Sequence, residues 1–581
     1  PQPQPKPRPL GSIETLFLPR QYYPSKSKSP QSPPPPPPVT FPPLNHVVLL
    51  TLCSPVSLPS LRSAVQVLFS KHAFLTAKVI GDGKLFEKNR VDSLTLDMVR
   101  GGVYPSESES ESESESESES GGESTIAFHP ISESDQNEIL NSSIFENTSP
   151  STITIDDHYS TALDETRFDT FNGPLFRFEL LSLHKLLLTF NHAISDQYSV
   201  NCFINDLLQA LNLNLNLKTT PSIHTPHTPP LSFPPSLEET LLPSYPTKTG
   251  PSFNSPFLFF NKVKIPLHNP TRSTAIYLLK KASELFAPRV VLVPDEFAES
   301  QKHSESEKRK TIVQFETIDD VSVEELVAGC RKNGVKLTSL LAAVTTLTAS
   351  KFVQANDQGG ENSPGRTFKI LQSMDWRKFC PKPDDKITVD VDADVLRCMA
   401  GSMDIFHYIP HPNPNTSASI WSLAQSTQSQ TSSFIASNGP QEAVRVFDFG
   451  VRFSDLTNLV HLASRNEKTC GRVYSAGISN AGSFMNSEVD SIHFSTSQVQ
   501  SGCLFQVSCM VSSERAASEQ RAKRAMELGV IQSFTLFFLV LLRFHLACGW
   551  FEMACCGQSL NMNNSFALKD AIGRIRHRVQ F

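Results

Sequence analysis

The chain has 581 residues, 39% of them hydrophobic and 19% charged, which is enough for two folded domains with the balance of a globular protein. The formal net charge of −6 comes from a Ser-Glu repeat at 106–120, and without its seven glutamates the charge is about +1. A nearly neutral folded part excludes a strongly basic surface, so no nucleic-acid partner is expected.

Eleven cysteines are dispersed between Cys53 and Cys556, and no two form a Cys-x-x-Cys pair. This pattern is typical of reduced cytoplasmic thiols and offers neither zinc ligands nor a disulfide framework. HExxH, GxSxG, P-loop and EF-hand patterns are absent from the sequence, so no metal site is predicted. One uncharged, largely apolar run, Leu528–Leu542, has 15 residues, fewer than the roughly 20 that span a bilayer. The expectation is a cytoplasmic monomer without a membrane anchor.

Shifts in composition divide the chain into five segments. They are a Pro-rich start at 1–44, an N-terminal half at 45–217 with a solvated Ser-Glu insertion at 101–123, a polar, Pro-rich connecting region at 218–310, a C-terminal half at 311–510, and an atypical tail at 511–581.

Hydrophobic periodicity predicts alternating strands and helices in both halves. The N-terminal half contains, in chain order, a buried strand at Asn45–Leu52, a helix at Leu61–Leu75, adjacent strands at Pro174–Leu183 and His184–Phe190, and an amphipathic helix through Val200–Leu211. The C-terminal half contains a strand at Thr311–Ile318, helices at Val321–Asn333 and Leu337–Ala349, and a strand at Gly502–Ser508. This alternation is typical of an α/β fold.

The junction between the second adjacent strand and the amphipathic helix carries an HxxxD pattern, with His192 at the strand end and Asp196 before the helix. Histidine is the natural general base near neutral pH because its free pKa is about 6.5. The spacing also arises by chance in a chain with 16 histidines. A structural histidine is therefore the alternative interpretation of the motif alone.

Five segments that surround this junction occur in the order found in a known superfamily. They are Arg8–Glu14, Leu68–Leu75, Gly173–Arg177, Val335–Ala343 and the Ser-Asn-x-Gly segment Ile478–Gly482. Together with the HxxxD motif, the chain resembles the CoA-dependent acyltransferases, which include chloramphenicol acetyltransferase and peptide-synthetase condensation domains. Its nearest resemblance is to the alcohol acetyltransferase branch. The resemblance implies two similar α/β sandwich halves with a tunnel between them.

The same resemblance implies an O- or N-acyltransferase that moves an acyl group, expected to be acetyl, from acyl-CoA to a small-molecule alcohol or amine. No bound cofactor is implied, because acyl-CoA is a co-substrate. His192 would be the catalytic base, and Asp196 would be architectural, paired with Arg377 of the Asp-Trp-Arg segment. A surface arginine on a loop is the alternative interpretation of Arg377. Ser479 and Asn480 would line the tunnel near the developing oxyanion, with an ordinary turn as the alternative.

Two positions depart from the HHxxxDG form of the motif. Asn191 replaces the first His, and Gln197 replaces the Gly. A side chain at 197 would crowd the start of the helix. The change at 197 leaves the size of the substrate open. Gln197, the atypical tail and the long insertions together keep open a second hypothesis, a catalytically inactive protein that uses this fold for binding or assembly.

The tail departs from the pattern of the superfamily after Met510. A charged stretch is followed by the apolar run and by the adjacent Cys555 and Cys556, and helical spacing returns only at Ser559–Ile575. Val511-Ser512 is compatible with an intron start. The hypothesis is a retained intron from about Val511 to Gly557, which is expected to pack poorly and to expose apolar surface.

Overall fold

The structure is a computed structural model. It describes residues 7–11, 14, 17, 44–80, 127–147, 154–169, 172–216, 232–242, 311–318, 323–355, 365–380, 394–410, 417–444, 469, 472–497 and 502–514, and the backbone of 523–531.

The first sheet belongs mainly to the N-terminal half and has five strands in the order β13-β2-β7-β6-β5. Their bounds are β2 Asn45–Leu52, β5 Ile144–Glu146, β6 Phe176–Ser182, β7 Lys185–Asn191 and β13 Val489–Thr496. Strand β2 pairs antiparallel with both β7 and β13. His192 therefore follows a strand in the middle of this sheet.

Helices cover both faces of this sheet. They are α1 Leu58–Leu68, α2 Glu133–Ser143, α3 Ile155–Asp164 and α4 Gln197–Asn216. Val48 and Leu50 of β2 share one core with Phe203 of α4, whereas Val47 shares another with Tyr159 of α3. Because neighbouring residues of a strand point to opposite faces, burial on both sides accounts for the continuous apolar run of β2.

The second sheet has six strands in the order β10-β9-β12-β15-β16-β8. Their bounds are β8 Val313–Ile318, β9 Arg366–Asp375, β10 Ala400–Ile409, β12 Ala476–Phe484, β15 Gln506–Glu514 and β16 Lys523–Ile531. Helices α6 Val323–Lys332, α7 Leu337–Ala355 and α8 Ser417–Ala436 accompany it. Leu341 of α7 shares a core with Ile370 and Ile478 on the strands.

Two small sheets and a short helix complete the described residues. They are a three-stranded sheet of β1 Arg8–Pro9, β4 Ala127–Pro130 and β3 Ala77–Ile80, a two-stranded sheet of β11 Arg472–Tyr474 and β14 Gly502–Cys503, and helix α5 Leu237–Leu241. Ser236 and Glu239 form a capping box at the start of α5. Part of the connecting region is therefore built into the fold, since Leu237 packs against Trp376.

The boundary expected between the halves is wrong for one segment. Residues 489–496 were assigned to the C-terminal half, but they form β13 at the edge of the first sheet. Ile492 and Phe494 are buried in the first core, which explains why this strand completes that sheet. In the other direction, Val313 of β8 packs with Val47 and Tyr159 of the first half. The two halves are therefore joined by packing and by strand exchange.

Several predicted elements are confirmed with shifted ends. The strand at Asn45–Leu52 has the predicted bounds. The helix predicted at Leu61–Leu75 begins earlier, at Leu58, because the Ser57 side chain accepts the Ser60 N–H and caps it. It also ends earlier, at Leu68, and a separate 3-10 turn follows at Ala73–Thr76.

The tail begins differently from its predicted form. Strand β15 continues through Val511 to Glu514, and β16 lies between β15 and β8 in the second sheet. The predicted break at Val511 is therefore wrong for the backbone of these residues, whereas the intron hypothesis stays a prediction about the transcript. Residues 532–581 and the Ser-Glu insertion lie outside the described residues. No helix in the described part of the chain is long and apolar enough to cross a membrane.

Candidate active site

His192 begins a 3-10 turn, His192–Ile194, directly after β7. The Asn191 side chain accepts the Ala193 N–H at 3.0 Å and so caps this turn. The Nδ1 atom of His192 lies 2.7 Å from the Ser195 carbonyl oxygen. A carbonyl oxygen only accepts hydrogen bonds, so in the neutral ring Nδ1 carries the proton and Nε2 carries the lone pair. This is the tautomer in which Nε2 acts as a base.

Asp196 is buried and caps α4. One of its carboxylate oxygens accepts the Ser199 N–H at 2.9 Å. The other lies 2.8 Å from Nη1 of Arg377 and accepts the Met399 N–H at 2.6 Å. Burial raises the pKa of the Asp196 carboxyl, but the Arg377 charge and these hydrogen bonds outweigh it and hold the pKa below its usual value. Asp196 is therefore an ionised group that joins the two halves.

Arg377 lies on a 3-10 turn, Trp376–Phe379, that follows β9. Its guanidinium also contacts the Asp375 carboxylate at 3.2 Å and donates to the Arg397 carbonyl at 3.3 Å. The ring of Tyr198 lies 4.8 Å from the Arg377 Cζ atom, a cation–π distance. Burial lowers the pKa of Arg377, but the Asp196 and Asp375 carboxylates outweigh this effect, so the pKa lies above its usual value.

A segment of the C-terminal half, 394–399, crosses onto the first half beside His192. The Leu396 N–H donates to Nδ1 of His72 at 3.1 Å, and Nε2 of His72 lies 2.9 Å from Asp206. Together with the bond from Met399 to Asp196, this contact brings Cys398 to the site. The Cys398 sulfur lies 3.8 Å from Nδ1 of His192. Burial, and then the Asp196 charge, raise the pKa of this thiol, so it stays protonated.

His46 was not predicted as a site residue, but it lies against His192 with ring centroids 5.5 Å apart. Its Nδ1 is 3.1 Å from the Ser195 hydroxyl, and its Nε2 is 3.0 Å from Oε1 of Gln197. Burial first, and then the His192 charge, lower the pKa of His46 to about 3, so the ring is neutral near pH 7. The position that departs from the family's Gly, residue 197, therefore has its side chain bonded to a second histidine.

Phe17 was also missed, and its ring stacks on His192 with centroids 5.0 Å apart. The preceding family-like opening is built into the first half, since Arg8 pairs with Glu14 and lies over the ring of Phe128. The N-terminal segment thus supplies one wall of the site.

Ser479 and Asn480 lie on β12, which pairs with β9 and β15 in the second sheet. The Asn480 side chain donates to Thr338 Oγ1 on α7 at 3.0 Å and accepts the Gly482 N–H at 2.9 Å. These bonds give Asn480 a structural function in the second half. The oxyanion role of both residues stays a prediction, as do the predicted roles of His192, Asp196 and Arg377. Within the described ranges, no group of three or more His, Cys, Asp or Glu side chains is arranged to hold a metal ion.

Comparison with solved structures identifies proteins of similar fold. Trichothecene 15-O-acetyltransferase TRI3 from Fusarium sporotrichioides aligns over 93% of this chain and 94% of its own, with a TM-score of 0.52 and 9% identity. The first condensation domain of the CDA synthetase aligns over 93% and 96%, with a TM-score of 0.47 and 9% identity. The epimerization domain of tyrocidine synthetase B aligns over 94% and 97%, with a TM-score of 0.46 and 10% identity. No protein-family model matches the sequence, and neither does any curated protein.

The likeness to TRI3 defines the class of fold. The chain has a mixed α/β fold similar to that of TRI3, and the resemblance in the sequence predicted such a fold. At 9% identity the comparison shows the fold alone. The activity must therefore be argued from the site.

Proposed function

We propose that this chain is an acyltransferase that moves an acyl group from acyl-CoA to the hydroxyl or amine of a small molecule, with His192 as general base. The observation that carries this proposal is the bond of 2.7 Å between Nδ1 of His192 and the Ser195 carbonyl. It leaves the lone pair on Nε2 of a partly exposed ring at the end of a central strand.

The proposed reaction has two proton transfers. Nε2 of His192 removes the proton of the acceptor hydroxyl or amine as its oxygen or nitrogen attacks the thioester carbonyl carbon. The resulting oxyanion collapses, the carbon–sulfur bond breaks, and the imidazolium returns its proton to the CoA thiolate. The Ser195 carbonyl stabilises the imidazolium between these steps, because it accepts the Nδ1 proton throughout.

A covalent pathway through Cys398 is less favourable. Its sulfur lies beside Nδ1 of His192, which already donates to Ser195, so Nε2 is not placed to deprotonate it. Burial also raises the pKa of the thiol and keeps it in its unreactive form. Direct transfer from acyl-CoA to the acceptor is the mechanism that the geometry favours. Acetyl as the acyl group, a cytoplasmic location and a monomeric state belong to the same proposal.

The test is release of CoA thiol from a panel of acyl-CoAs, each with a panel of alcohols and amines. His192→Ala is expected to reduce turnover by roughly 10²–10⁴-fold, the usual contribution of a general base, while acyl-CoA binding is retained. His407→Ala is the control for the loss of an imidazole elsewhere in the fold, since His407 bonds to Thr427 in the second half.

Two outcomes would contradict the proposal. Near-normal turnover in His192→Ala would remove the catalytic role from this residue. Binding of acyl-CoA or acceptor by the unaltered chain, with no thiol release from any pair, would favour the alternative of an inactive binding protein.

A further inference from the structure

His46 and Gln197 lie beside His192, although neither takes part in the proposed proton transfer. Both side chains are buried, and each nitrogen of the His46 ring has a hydrogen-bond partner: the Ser195 hydroxyl at 3.1 Å and Oε1 of Gln197 at 3.0 Å. A buried polar pair of this kind is costly to maintain unless all of its bonds are made. The presence of this buried polar pair beside His192 therefore suggests that the pair has a function there.

The direction of these bonds follows from Gln197. Its Nε2 donates to Oδ1 of Asn201 at 2.7 Å, so its carbonyl oxygen faces His46. Since that oxygen only accepts, the proton of the neutral His46 ring lies on Nε2. The other ring nitrogen, Nδ1, then has a lone pair and accepts the proton of the Ser195 hydroxyl.

Ser195 consequently connects the two histidines. Its hydroxyl donates to His46, and its carbonyl accepts the Nδ1 proton of His192. The hydroxyl has one other acceptor within reach, the Asn191 carbonyl, at the longer distance of 3.5 Å. The shorter of the two contacts of the Ser195 hydroxyl is therefore the one to His46.

We propose that His46 and Gln197 are positioning residues that hold Ser195 so that its carbonyl keeps the His192 proton on Nδ1. The inference rests on the proposed function, in which Nε2 of His192 is the base. An imidazole without this partner populates both tautomers, and only one of them has a basic Nε2. Glycine, the residue of the HHxxxDG form at this position, has no side chain to bond His46, so the network depends on the residue in which this chain departs from the motif.

The variants are His46→Phe, which retains a ring of similar volume without hydrogen bonds, and Gln197→Leu, which removes the acceptor. Their combination completes a double-mutant cycle. His407→Phe is the matched control, because His407 is likewise buried and hydrogen-bonded, 2.8 Å from Thr427 Oγ1, but belongs to the second sheet.

The first readout does not depend on catalysis. Diethyl pyrocarbonate modifies an unprotonated imidazole nitrogen, and the rate at the His192 peptide, measured by mass spectrometry across pH, reports the availability of Nε2 and the pKa of the ring. The Nδ1 bond to Ser195 stabilises the charged ring, so weakening it should move the midpoint of this profile to lower pH. The second readout is the pH profile of kcat/KM for thiol release, whose acidic limb should move in parallel.

Each single variant is expected to lower kcat about 10-fold, a part of the general-base contribution, with little change in KM for acyl-CoA. The double variant should be no worse than the more damaged single variant, because both changes break one network. An unchanged modification profile of His192 in the folded Gln197→Leu protein would overturn the proposal. Because modification is measured without substrate, a chain that lacks acyltransferase activity still tests the positioning role.

Discussion

The ion pair between Asp196 and Arg377 is the contact whose loss should be most visible in stability. The two side chains are 5% and 10% exposed. Asp196→Asn preserves the shape and the capping oxygen but leaves the buried guanidinium with less negative charge. Breaking a buried pair in this way costs roughly 3–5 kcal/mol. Asp375, at 3.2 Å, compensates in part, so we expect about 3 kcal/mol, equivalent to a decrease in Tm of about 6–12 °C at roughly 2–4 °C per kcal/mol.

The assay is thermal unfolding at several pH values. The pKa of Asp196 is lower in the folded protein than its usual 3.8, so its contribution is complete above pH 3.8 and is lost as the pH falls through the folded value. The difference in Tm should therefore be constant near neutrality and shrink at acidic pH. Asp404→Asn is the control, since Asp404 pairs with Lys369 but is 41% exposed, and such pairs contribute about 0–1 kcal/mol. An Asp196→Asn protein with an unchanged Tm and no turnover would refute the architectural role and indicate a direct chemical one.

Three further predictions address other parts of the molecule. Burial lowers the pKa of His46 to about 3 and of His407 to about 4. Below the usual histidine pKa of 6.5, these two side chains therefore take up protons in the unfolded chain but not yet in the folded protein. Stability should fall as pH drops from 6.5 toward 4, and His407→Phe should reduce that slope by about 1.4 kcal/mol per pH unit in denaturant titrations; an unchanged slope would contradict the burial argument. Cys398→Ala should keep thiol release within a few-fold of the unaltered protein, whereas a loss of about 100-fold or more would identify the thiol as a nucleophile. A chain ended after Ala522 should aggregate because β15 and β8 lose the strand between them, whereas one ended after Ile531 should stay soluble by size-exclusion chromatography; equal behaviour of the two would contradict the placement of β16.

The parts of the site that could be predicted are those formed by local sequence. His192 and Asp196 lie at one strand-to-helix junction, and the periodicity of the flanking apolar residues locates both elements without knowledge of the rest of the chain. Arg377 could be proposed only because the resemblance associates an arginine of the second half with the motif. Spacing alone contains no signal for that contact, which joins residues 181 positions apart.

The parts that could not be predicted depend on pairing between distant strands. His46 reaches the site because β2 pairs antiparallel with β7 in a register that places it opposite Phe190, two residues before His192. The available signal was a histidine at the start of a strand buried on both faces, which is an unusual place for an ionisable side chain. Cys398 and Phe17 lie in segments for which the sequence predicted neither a helix nor a strand, and β13 was likewise not among the predicted strands. Their positions follow from tertiary packing.

From the sequence alone, Gln197 was interpreted as an unfavourable change, because a side chain in place of Gly was expected to crowd the start of the helix. In the structure this side chain is bonded at both ends, to His46 and to Asn201. A glutamine without partners here would leave buried polar atoms unpaired, and such atoms are destabilising. The hydrogen bond from His46 on β2 instead satisfies the Gln197 oxygen, so the two side chains form one hydrogen-bonded unit. If His192 is the base as proposed, Gln197 supports it through His46, and Gln197→Gly, which would leave Nε2 of His46 without its acceptor, should impair this chain although it restores the glycine of the HHxxxDG form.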